Sequence, residues 1–234
     1  MATRARGPFD QFVEIVEGFE EAVLTQLPFD AAQYDDDYFA SDWREHGNKY
    51  DLETRRRIEA RNPELIKEVF EPARILDVGC GPGFLMQFLH ELGVDVHGVD
   101  FSPSSVSLAP PAMKDRIEIG PTDRLSSPAK SFDLVVCREV VEHLTVLQVR
   151  RTVAELCRVS SRFVYVTTRF HPEPASLLDF TTDFDTDPTH ITLLAKDFLR
   201  TLFVLEGFRR RAELERRLDW GGKGRVLAYE RTSA

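Results

Sequence analysis

From residue 74 onward, short apolar runs alternate with segments of helical periodicity. Apolar runs of this length, bounded by turn residues, predict buried strands, and the periodic segments between them predict helices. Alternation of strands and helices favours a mostly parallel sheet with helices on both faces. We therefore expect an α/β fold, whose first five strands lie at about 74–78, 94–99, 116–119, 132–137 and 163–167.

The C-terminal region predicts two more strands, which would complete a seven-stranded, mostly parallel sheet. They cover about 208–215 and 225–230, and the glycines at 221, 222 and 224 favour a turn that pairs them antiparallel. The helices predicted from apolar spacing cover about 1–30, 52–70, 85–92, 146–158 and 198–206.

The chain is long enough for one α/β domain and short for two. We interpret residues 1–50 as an N-terminal helical cap on the substrate side, and residues 51–234 as a single globular domain. Residues 169–192 are rich in proline and acidic residues. They predict a long loop or partial lid at the strand ends, where open α/β sheets bind their ligands.

Composition excludes several classes of protein. Apolar residues make up 42% and charged residues 29%, which is typical of a soluble globular chain, and no apolar run approaches the ~18–20 residues that cross a bilayer. No signal-peptide pattern follows Met1, and three scattered cysteines form no disulfide framework, so we expect a cytoplasmic protein. A net charge of −9 disfavours DNA as a partner and makes the chain a poor general binder of nucleic acid.

The strongest local signal is a glycine-rich turn, D-V-G-C-G-P-G at 77–83, directly after the first predicted strand. Glycines at such a turn let a ligand approach backbone N–H groups. A dinucleotide-binding turn needs G-x-G-x-x-G, whereas here the glycines alternate and Phe84 takes the sixth position. Asp100 ends the next predicted strand, where a carboxylate can bind both hydroxyls of a ribose.

Over roughly residues 50–230, these motifs resemble the class I S-adenosylmethionine (SAM)-dependent methyltransferases. The resemblance implies their Rossmann-like fold, with SAM as the cofactor that donates the methyl group. It also implies that Asp100 holds the ribose, that Phe101 lies beside the adenine and that Asp123 accepts from the adenine amino group. A nicotinamide-binding Rossmann protein, or a domain that only binds nucleotide, is the alternative that the glycine spacing disfavours. The implied cofactor-binding residues are Asp77, Gly79, Cys80, Gly81, Gly83, Asp100, Phe101, Asp123 and Arg138.

A cluster of carboxylates and a histidine follows the fourth predicted strand, as R-E-V-V-E-H at 138–143. On a helical turn, Glu139, Glu142 and His143 would share one face. Two carboxylates and an imidazole are reasonable ligands for Mg²⁺ or Mn²⁺, or for a softer ion. The candidates for a fourth ligand in the lid are Asp183, Asp185, Asp187 and His190.

This cluster is similar to one in a subset of the methyltransferases. The subset includes the small-RNA 3′-end 2′-O-methyltransferases, the ubiquinone-biosynthesis O-methyltransferases and bacterial methyltransferases of sugars and secondary metabolites. Resemblance to the RNA enzymes implies that Glu139, Glu142, His143 and His190 bind a divalent metal ion. The segments after the fifth strand and after His190 depart from those enzymes, which disfavours RNA as the acceptor.

Three roles for the cluster remain open. A divalent ion would lower the pKa of an acceptor hydroxyl. Without an ion, His143 would be the catalytic base, with Glu142 or Glu139 setting its tautomer. A purely structural role is the third. We predict an O-methyltransferase, with metal assistance, acting on a hydroxyl of a small molecule or sugar. The alternatives are 2′-O-methylation of an RNA 3′ end and a non-catalytic SAM-binding regulatory protein.

Two weaker signals precede the first strand. The arginines at 55, 56, 57 and 61 are typical of a solvated helix face, although one of them could reach the SAM carboxylate. A group of aromatic residues either closes over SAM or packs the N-terminal cap. These are Tyr34, Tyr38, Phe39 and Trp43.

Overall fold

The structure is a computed structural model that describes residues 20–21, 23–40, 51–170, 178–179 and 189–232. The described strands are β1 (Arg74–Val78), β2 (Asp95–Asp100), β3 (Ile117–Ile119), β4 (Phe132–Arg138), β5 (Ser160–Thr167), β6 (Leu178–Asp179), β7 (Leu193–Leu194), β8 (Phe208–Arg210) and β9 (Val226–Arg231). Seven of them form one sheet in the order β3-β2-β1-β4-β5-β9-β8, and β6 pairs with β7 separately. β9 runs opposite to the other six strands of this sheet, and all the pairs that do not include β9 are parallel. The predicted α/β fold with a seven-stranded, mostly parallel sheet is confirmed.

Helices cover both faces of this sheet. Those described are α1 (Asp36–Ala40), α2 (Leu52–Glu59), α3 (Asn62–Phe70), α4 (Phe84–Glu91), α5 (Pro103–Ser107), α6 (Val146–Val159), α7 (Lys196–Leu205) and α8 (Ala212–Leu218). Among the described helices, none is long and apolar enough to cross a membrane.

Successive residues of β4 point into two separate hydrophobic cores. Leu134 and Val136 belong to the core that also holds buried side chains of α3 and α4, whereas Val135 and Cys137 belong to the core beside α6 and α7. Such alternation follows from the two-residue period of a strand. A strand that is apolar on both faces must be covered on both, as the continuous apolar runs predicted.

Two predicted elements differ from the structure. The helix predicted over 52–70 is two helices, because Ala60 adopts φ 44° and ends α2 before α3 begins. The strand predicted over 208–215 is wrong beyond Arg210. Leu214 and Leu218 lie one helical turn apart in α8 and are both buried, so packing favours a helix there.

The N-terminal prediction is tested only in part. The helix predicted over 1–30 falls largely on residues 1–19, which lie outside the described residues. Residues 23–25 are helical, but residues 26–30 are not. Most of the lid predicted over 169–192 also lies outside the described residues. Its strand β6 pairs with β7, which directly follows the predicted lid.

The order of the strands places a crevice beside β1. The chain leaves β1 towards β2 and β3 on one side, and later returns to build β4 and β5 on the other. The connections therefore diverge at the carboxyl ends of β1 and β4, which is where open α/β sheets bind their ligands.

Candidate active site

The glycine-rich turn leaves β1 in a conformation that needs glycine. Gly79 has φ 76°, in the left-handed region that residues with a Cβ rarely adopt. A Cβ at this position would lie 2.3 Å from Cγ2 of Val140. The turn therefore packs closely against the segment that follows β4, and the ends of β1 and β4 form one wall.

A cavity opens between these strand ends. Its lining includes every predicted cofactor-binding residue except Gly83. Gly83 stands instead before α4, where an added Cβ would meet the buried side chains of Ile117, Met86 and Met113. The predicted cofactor residues that line the cavity are Asp77, Gly79, Cys80, Gly81, Asp100, Phe101, Asp123 and Arg138.

Backbone groups hold Asp100 at the end of β2. The N–H of Gly81 donates to Oδ2 of Asp100 at 2.7 Å, and the N–H of Ser102 donates to Oδ1 at 2.9 Å. Burial raises the pKa of Asp100, and these hydrogen bonds oppose the rise. Phe101 lies beside it with a partly exposed ring, and Asp123 pairs with Arg151 Nε at 2.9 Å.

A buried carboxylate that the sequence did not reveal lies in the same wall. Glu59 Oε1 accepts from Arg55 Nη2 and Glu59 Oε2 accepts from Arg138 Nη1, both at 2.7 Å. Burial alone would raise the pKa of Glu59, but the two guanidiniums outweigh it and lower the pKa to about 2. The Arg55–Glu59 spacing of four residues is visible in the sequence, yet such pairs usually lie on solvated helix faces.

The arginines ahead of β1 therefore lie in different environments. Arg55 lines the cavity. Arg56 is exposed and pairs with Glu91 on α4 at 2.8 Å. The prediction of a solvated helix face holds for Arg56 but is wrong for Arg55.

Asp77 is a third buried acid of this wall, beside Asp100 and Glu59. Burial raises the pKa of Asp77 to about 7, although Arg138 opposes the rise. The charges of Glu59 and Asp100 add to it. The wall thus holds both signs of charge, with carboxylates at Asp77 and Asp100 and guanidiniums at Arg55 and Arg138.

Three of the four predicted metal ligands lie together, and two of them, His143 and His190, line the cavity. Glu142, His143 and His190 offer ligand atoms that all lie within 4.8 Å of one another. Glu142 and His143 belong to a 3₁₀ turn, Val141–His143, that follows β4. His190 comes from the segment before β7 and is also buried.

Glu142 is wholly buried in this cluster. Thr168 Oγ1 donates to its Oε2 at 2.7 Å, whereas its Oε1 has no hydrogen-bond partner among the described residues. Burial raises the pKa of Glu142 well above its usual range, and the nearby charge of Glu139 adds to the rise. A carboxylate in this position needs either a proton or a cation.

Glu139 lines the cavity and interacts with Glu142, but it is not one of the three clustered ligands. Its φ of 53° is left-handed, its N–H donates to the Thr167 carbonyl at 2.7 Å, and its carboxylate lies 3.6 Å from Arg225 Nη1. The helical turn begins only at Val141, so the prediction that Glu139, Glu142 and His143 share one helical face is wrong. The predicted fourth-ligand candidates at 183, 185 and 187 lie outside the described residues.

An N-terminal segment lies across the cluster, and sequence reasoning missed its principal contact. Gln26 Nε2 donates to the carbonyl of Ile191 at 2.9 Å, and Gln26 Oε1 accepts from the N–H of Val146 at 2.8 Å. Tyr34 Oη lies 3.5 Å from His143 Nδ1, which is also 2.8 Å from Thr189 Oγ1. Four aromatic residues of the segment line the cavity: Phe29, Tyr34, Tyr38 and Phe39. Trp43 lies outside the described residues.

Comparison with known proteins identifies a methyltransferase domain in part of the chain. Residues 75–162 match a family model described as a methyltransferase domain. The chain is 34% identical over 98 residues to the ubiquinone biosynthesis O-methyltransferase of Xanthomonas axonopodis pv. citri (strain 306). The aligned residues cover 37% of this chain and 41% of that protein. The chain thus spans about two fifths of the length of this curated relative.

Solved structures share the fold. A SAM-dependent methyltransferase from Archaeoglobus fulgidus aligns with a TM-score of 0.56 at 22% identity, over 66% of this chain and 69% of that one. The [4+2]-cyclase SpnF aligns with a TM-score of 0.57 at 15% identity, over 96% of both chains. At these identities the likeness concerns the fold alone. Residues 75–162, which include the glycine-rich turn, thus match a methyltransferase domain, and the fold is one that a solved SAM-dependent methyltransferase shares.

Proposed function

We propose that the protein transfers the methyl group of SAM to a hydroxyl oxygen of a small molecule or sugar, with a divalent metal ion assisting. The observation that carries the proposal is the cluster of Glu142, His143 and His190, because His143 and His190 line the same cavity as the glycine-rich turn. The curated relative is named an O-methyltransferase, which supports an oxygen acceptor.

The residues of the cluster fit a divalent ion. Glu142 Oε1 is buried without a hydrogen-bond partner among the described residues, so the cluster contains an oxygen that an ion would satisfy. One carboxylate and two imidazoles suit Mn²⁺ or a softer ion better than Mg²⁺, which prefers oxygen ligands. We assign Glu142, His143 and His190 as ligands, and Glu139 as a residue near the ion rather than on it.

The wall at the glycine-rich turn would bind SAM. Asp100 and the backbone around Gly81 would hold the ribose, and Phe101 would lie against the adenine. Asp77, Gly79, Cys80 and Arg138 would surround the methionine part. SAM supplies an electrophilic methyl group, which must be in line with the attacking oxygen, so the walls act mainly by positioning.

The cluster of Glu142, His143 and His190 would activate the acceptor. A divalent ion there would lower the pKa of an acceptor hydroxyl and fix its direction. Thr189 Oγ1 lies 2.8 Å from Nδ1 of His143, which orients the ring and assigns Nε2 to the ion. Two oxygens held side by side would suit such an ion, so a vicinal diol or a catechol is the acceptor that we propose.

Residues 23–40 would close the cavity over the reactants. Gln26 ties this segment to the residues around His190 and to the start of α6. Exclusion of water strengthens the electrostatic interactions in such a site. We propose residues 1–50 as a cap on the substrate side and residues 51–234 as the catalytic domain.

Calorimetric titration tests the proposal. Mn²⁺, Mg²⁺, Co²⁺ and Zn²⁺ are titrated into metal-stripped protein that carries S-adenosylhomocysteine, and His190→Ala is titrated in parallel. We expect one ion per chain in the wild type and loss of that binding in the variant. A silent titration is repeated with a model catechol present, because a chelating acceptor can complete a metal site.

Methyl transfer to the same catechol then tests the reaction. A protein that binds no ion with or without the catechol, yet still methylates it, would leave His143 as a metal-free base. A protein that binds S-adenosylhomocysteine but methylates neither a catechol nor a sugar diol would contradict the proposed acceptors. Methylation of a short RNA with a free 3′-terminal diol would instead identify the RNA acceptor.

A further inference from the structure

Glu59 is the most deeply buried charge that the proposed reaction leaves without a role. It ends α2, and its side chain is 3% exposed. Burial of an ionised carboxylate is costly unless it is paired and hydrogen-bonded. Glu59 meets this condition with three partners, because Asn62 Nδ2 also donates to Oε2, at 2.9 Å.

Both cationic partners of Glu59 line the SAM cavity. Arg55 comes from α2 and Arg138 from the end of β4, so Glu59 joins two elements that the sequence separates by 79 residues. Each guanidinium binds a different oxygen of the carboxylate, which fixes both of them relative to the wall. The Nε of Arg138 is buried and has no hydrogen-bond partner among the described residues.

The charges on this part of the wall are mixed. Arg55 and Arg138 both line the cavity, and Arg138 also interacts with the charges of Asp77 and Glu139. A ligand with a carboxylate beside a cationic group would match both signs. The amino-acid end of SAM has this pattern, with its carboxylate next to an ammonium and a sulfonium.

We infer that Glu59 is a positioning residue that holds Arg55 and Arg138 in place to bind the carboxylate of the amino-acid part of SAM. The inference rests on the proposal that SAM occupies this cavity, and it does not depend on the acceptor. Glu59 itself binds no ligand atom in this scheme. Its effect reaches the ligand through the two arginines.

Two nucleosides distinguish this role from a merely structural one. S-adenosylhomocysteine carries the amino-acid group, whereas 5′-deoxy-5′-methylthioadenosine keeps the adenosine and the sulfur but lacks it. Calorimetry on Glu59→Gln is expected to show about tenfold or greater loss of S-adenosylhomocysteine affinity, since charge-assisted hydrogen bonds are at stake. The affinity for methylthioadenosine should stay within about twofold of the wild type.

A matched control and a second variant complete the test. Glu91→Gln removes a carboxylate that pairs with Arg56 at the surface, and it should change neither affinity. If Glu59→Gln does not fold, Arg55→Gln carries the same comparison, because its side chain is 19% exposed and tolerates replacement more readily. It should lower the affinity for S-adenosylhomocysteine alone.

Equal losses for both nucleosides, or no loss for either, would overturn the inference. A wild-type protein that binds neither nucleoside would overturn it together with the assignment of SAM to this cavity. A wild-type protein that shows the expected discrimination but methylates no acceptor would leave Glu59 in this role and contradict only the proposed reaction.

Discussion

The rings of His143 and His190 contact each other edge to face, with their centroids 4.6 Å apart. The contact joins the turn after β4 to a segment almost fifty residues later in the chain. Main-chain bonds hold the two together, since the N–H groups of Ile191 and Thr192 donate to the Glu142 carbonyl at 2.9 and 3.1 Å. The backbone itself therefore places His190 in the cluster.

His190→Ala should abolish turnover while leaving SAM binding nearly intact. His190 belongs to the cluster that we propose activates the acceptor, and the backbone bonds around it survive the substitution. We expect the turnover rate to fall by about 10²–10⁴-fold, the usual effect of losing such a group. Steady-state assays measure the rate, and calorimetry with S-adenosylhomocysteine measures binding. A loss of nucleoside affinity as large as that of an Asp100 variant would contradict this separation of roles.

Asp100→Asn should weaken S-adenosylhomocysteine binding. The carboxylate accepts backbone N–H groups with both oxygens, and an amide can satisfy only one of them. We expect about tenfold or greater loss of affinity by calorimetry, through the Gly81 backbone and the ribose contact. Asp95→Asn is the control, because Asp95 begins the same strand and pairs with Arg74 and Arg116 at the surface. Equal affinities of the two variants would contradict the ribose assignment.

Asp77→Asn should make the protein more stable at neutral and alkaline pH. The folded chain raises the pKa of Asp77 from 3.8 to about 7, mainly by burial, with Arg138 opposing and Glu59 and Asp100 adding. Between these values the folded state holds a proton that the unfolded state lacks, so stability falls as pH rises through this window. Asparagine avoids this cost, which is up to about 4 kcal/mol above pH 7.

Urea unfolding at about pH 5 and about pH 8 measures the effect on stability. The advantage of Asp77→Asn should be small at the lower pH and large at the higher one. The same variant should bind S-adenosylhomocysteine more weakly, because in the proposed complex Asp77 faces the amino-acid end of the ligand. Parallel stability curves for the two proteins would show that Asp77 is ionised throughout.

The sheet could be predicted from the sequence, because buried parallel strands leave continuous apolar runs. β1 and β4 lie at the centre and are covered on both faces, so their pattern is unambiguous. β8 lies at the edge, and the residues after it alternate charged and apolar side chains in a way that suits a strand or a helix. The packing of Leu214 and Leu218 against the core is what favours a helix, α8, over a strand in this segment.

The glycine-rich turn and the histidine cluster were visible as local motifs, whereas the charged wall was not. Glu59 and Arg55 lie in a strongly charged segment, for which solvent exposure is the usual outcome. Their burial depends on Arg138, which only the fold brings beside them. Glu139 is the opposite case, a motif residue that the fold places differently from the prediction. Its spacing suggested a helical face shared with Glu142 and His143, which its left-handed backbone prevents.

Gly79→Ala should destabilise the protein far more than Gly222→Ala. Both glycines have positive φ, at 76° and 65°, so both variants bear the backbone strain of about 1–2 kcal/mol. The Cβ at Gly79 would in addition lie 2.3 Å from Val140 Cγ2, whereas nothing lies within 4 Å of a Cβ at Gly222. Val140 is β-branched and has few rotamers with which to relieve the clash.

We expect Gly79→Ala to cost about 3 kcal/mol or more of unfolding free energy, measured by urea titration, against about 1 kcal/mol for Gly222→Ala. The two variants should also separate in binding. Val140 lines the cavity, so its displacement should weaken S-adenosylhomocysteine binding in Gly79→Ala alone. If the two variants lost equal stability, the close approach of Gly79 and Val140 would not exist in solution, and the wall between β1 and β4 would be looser than the structure indicates.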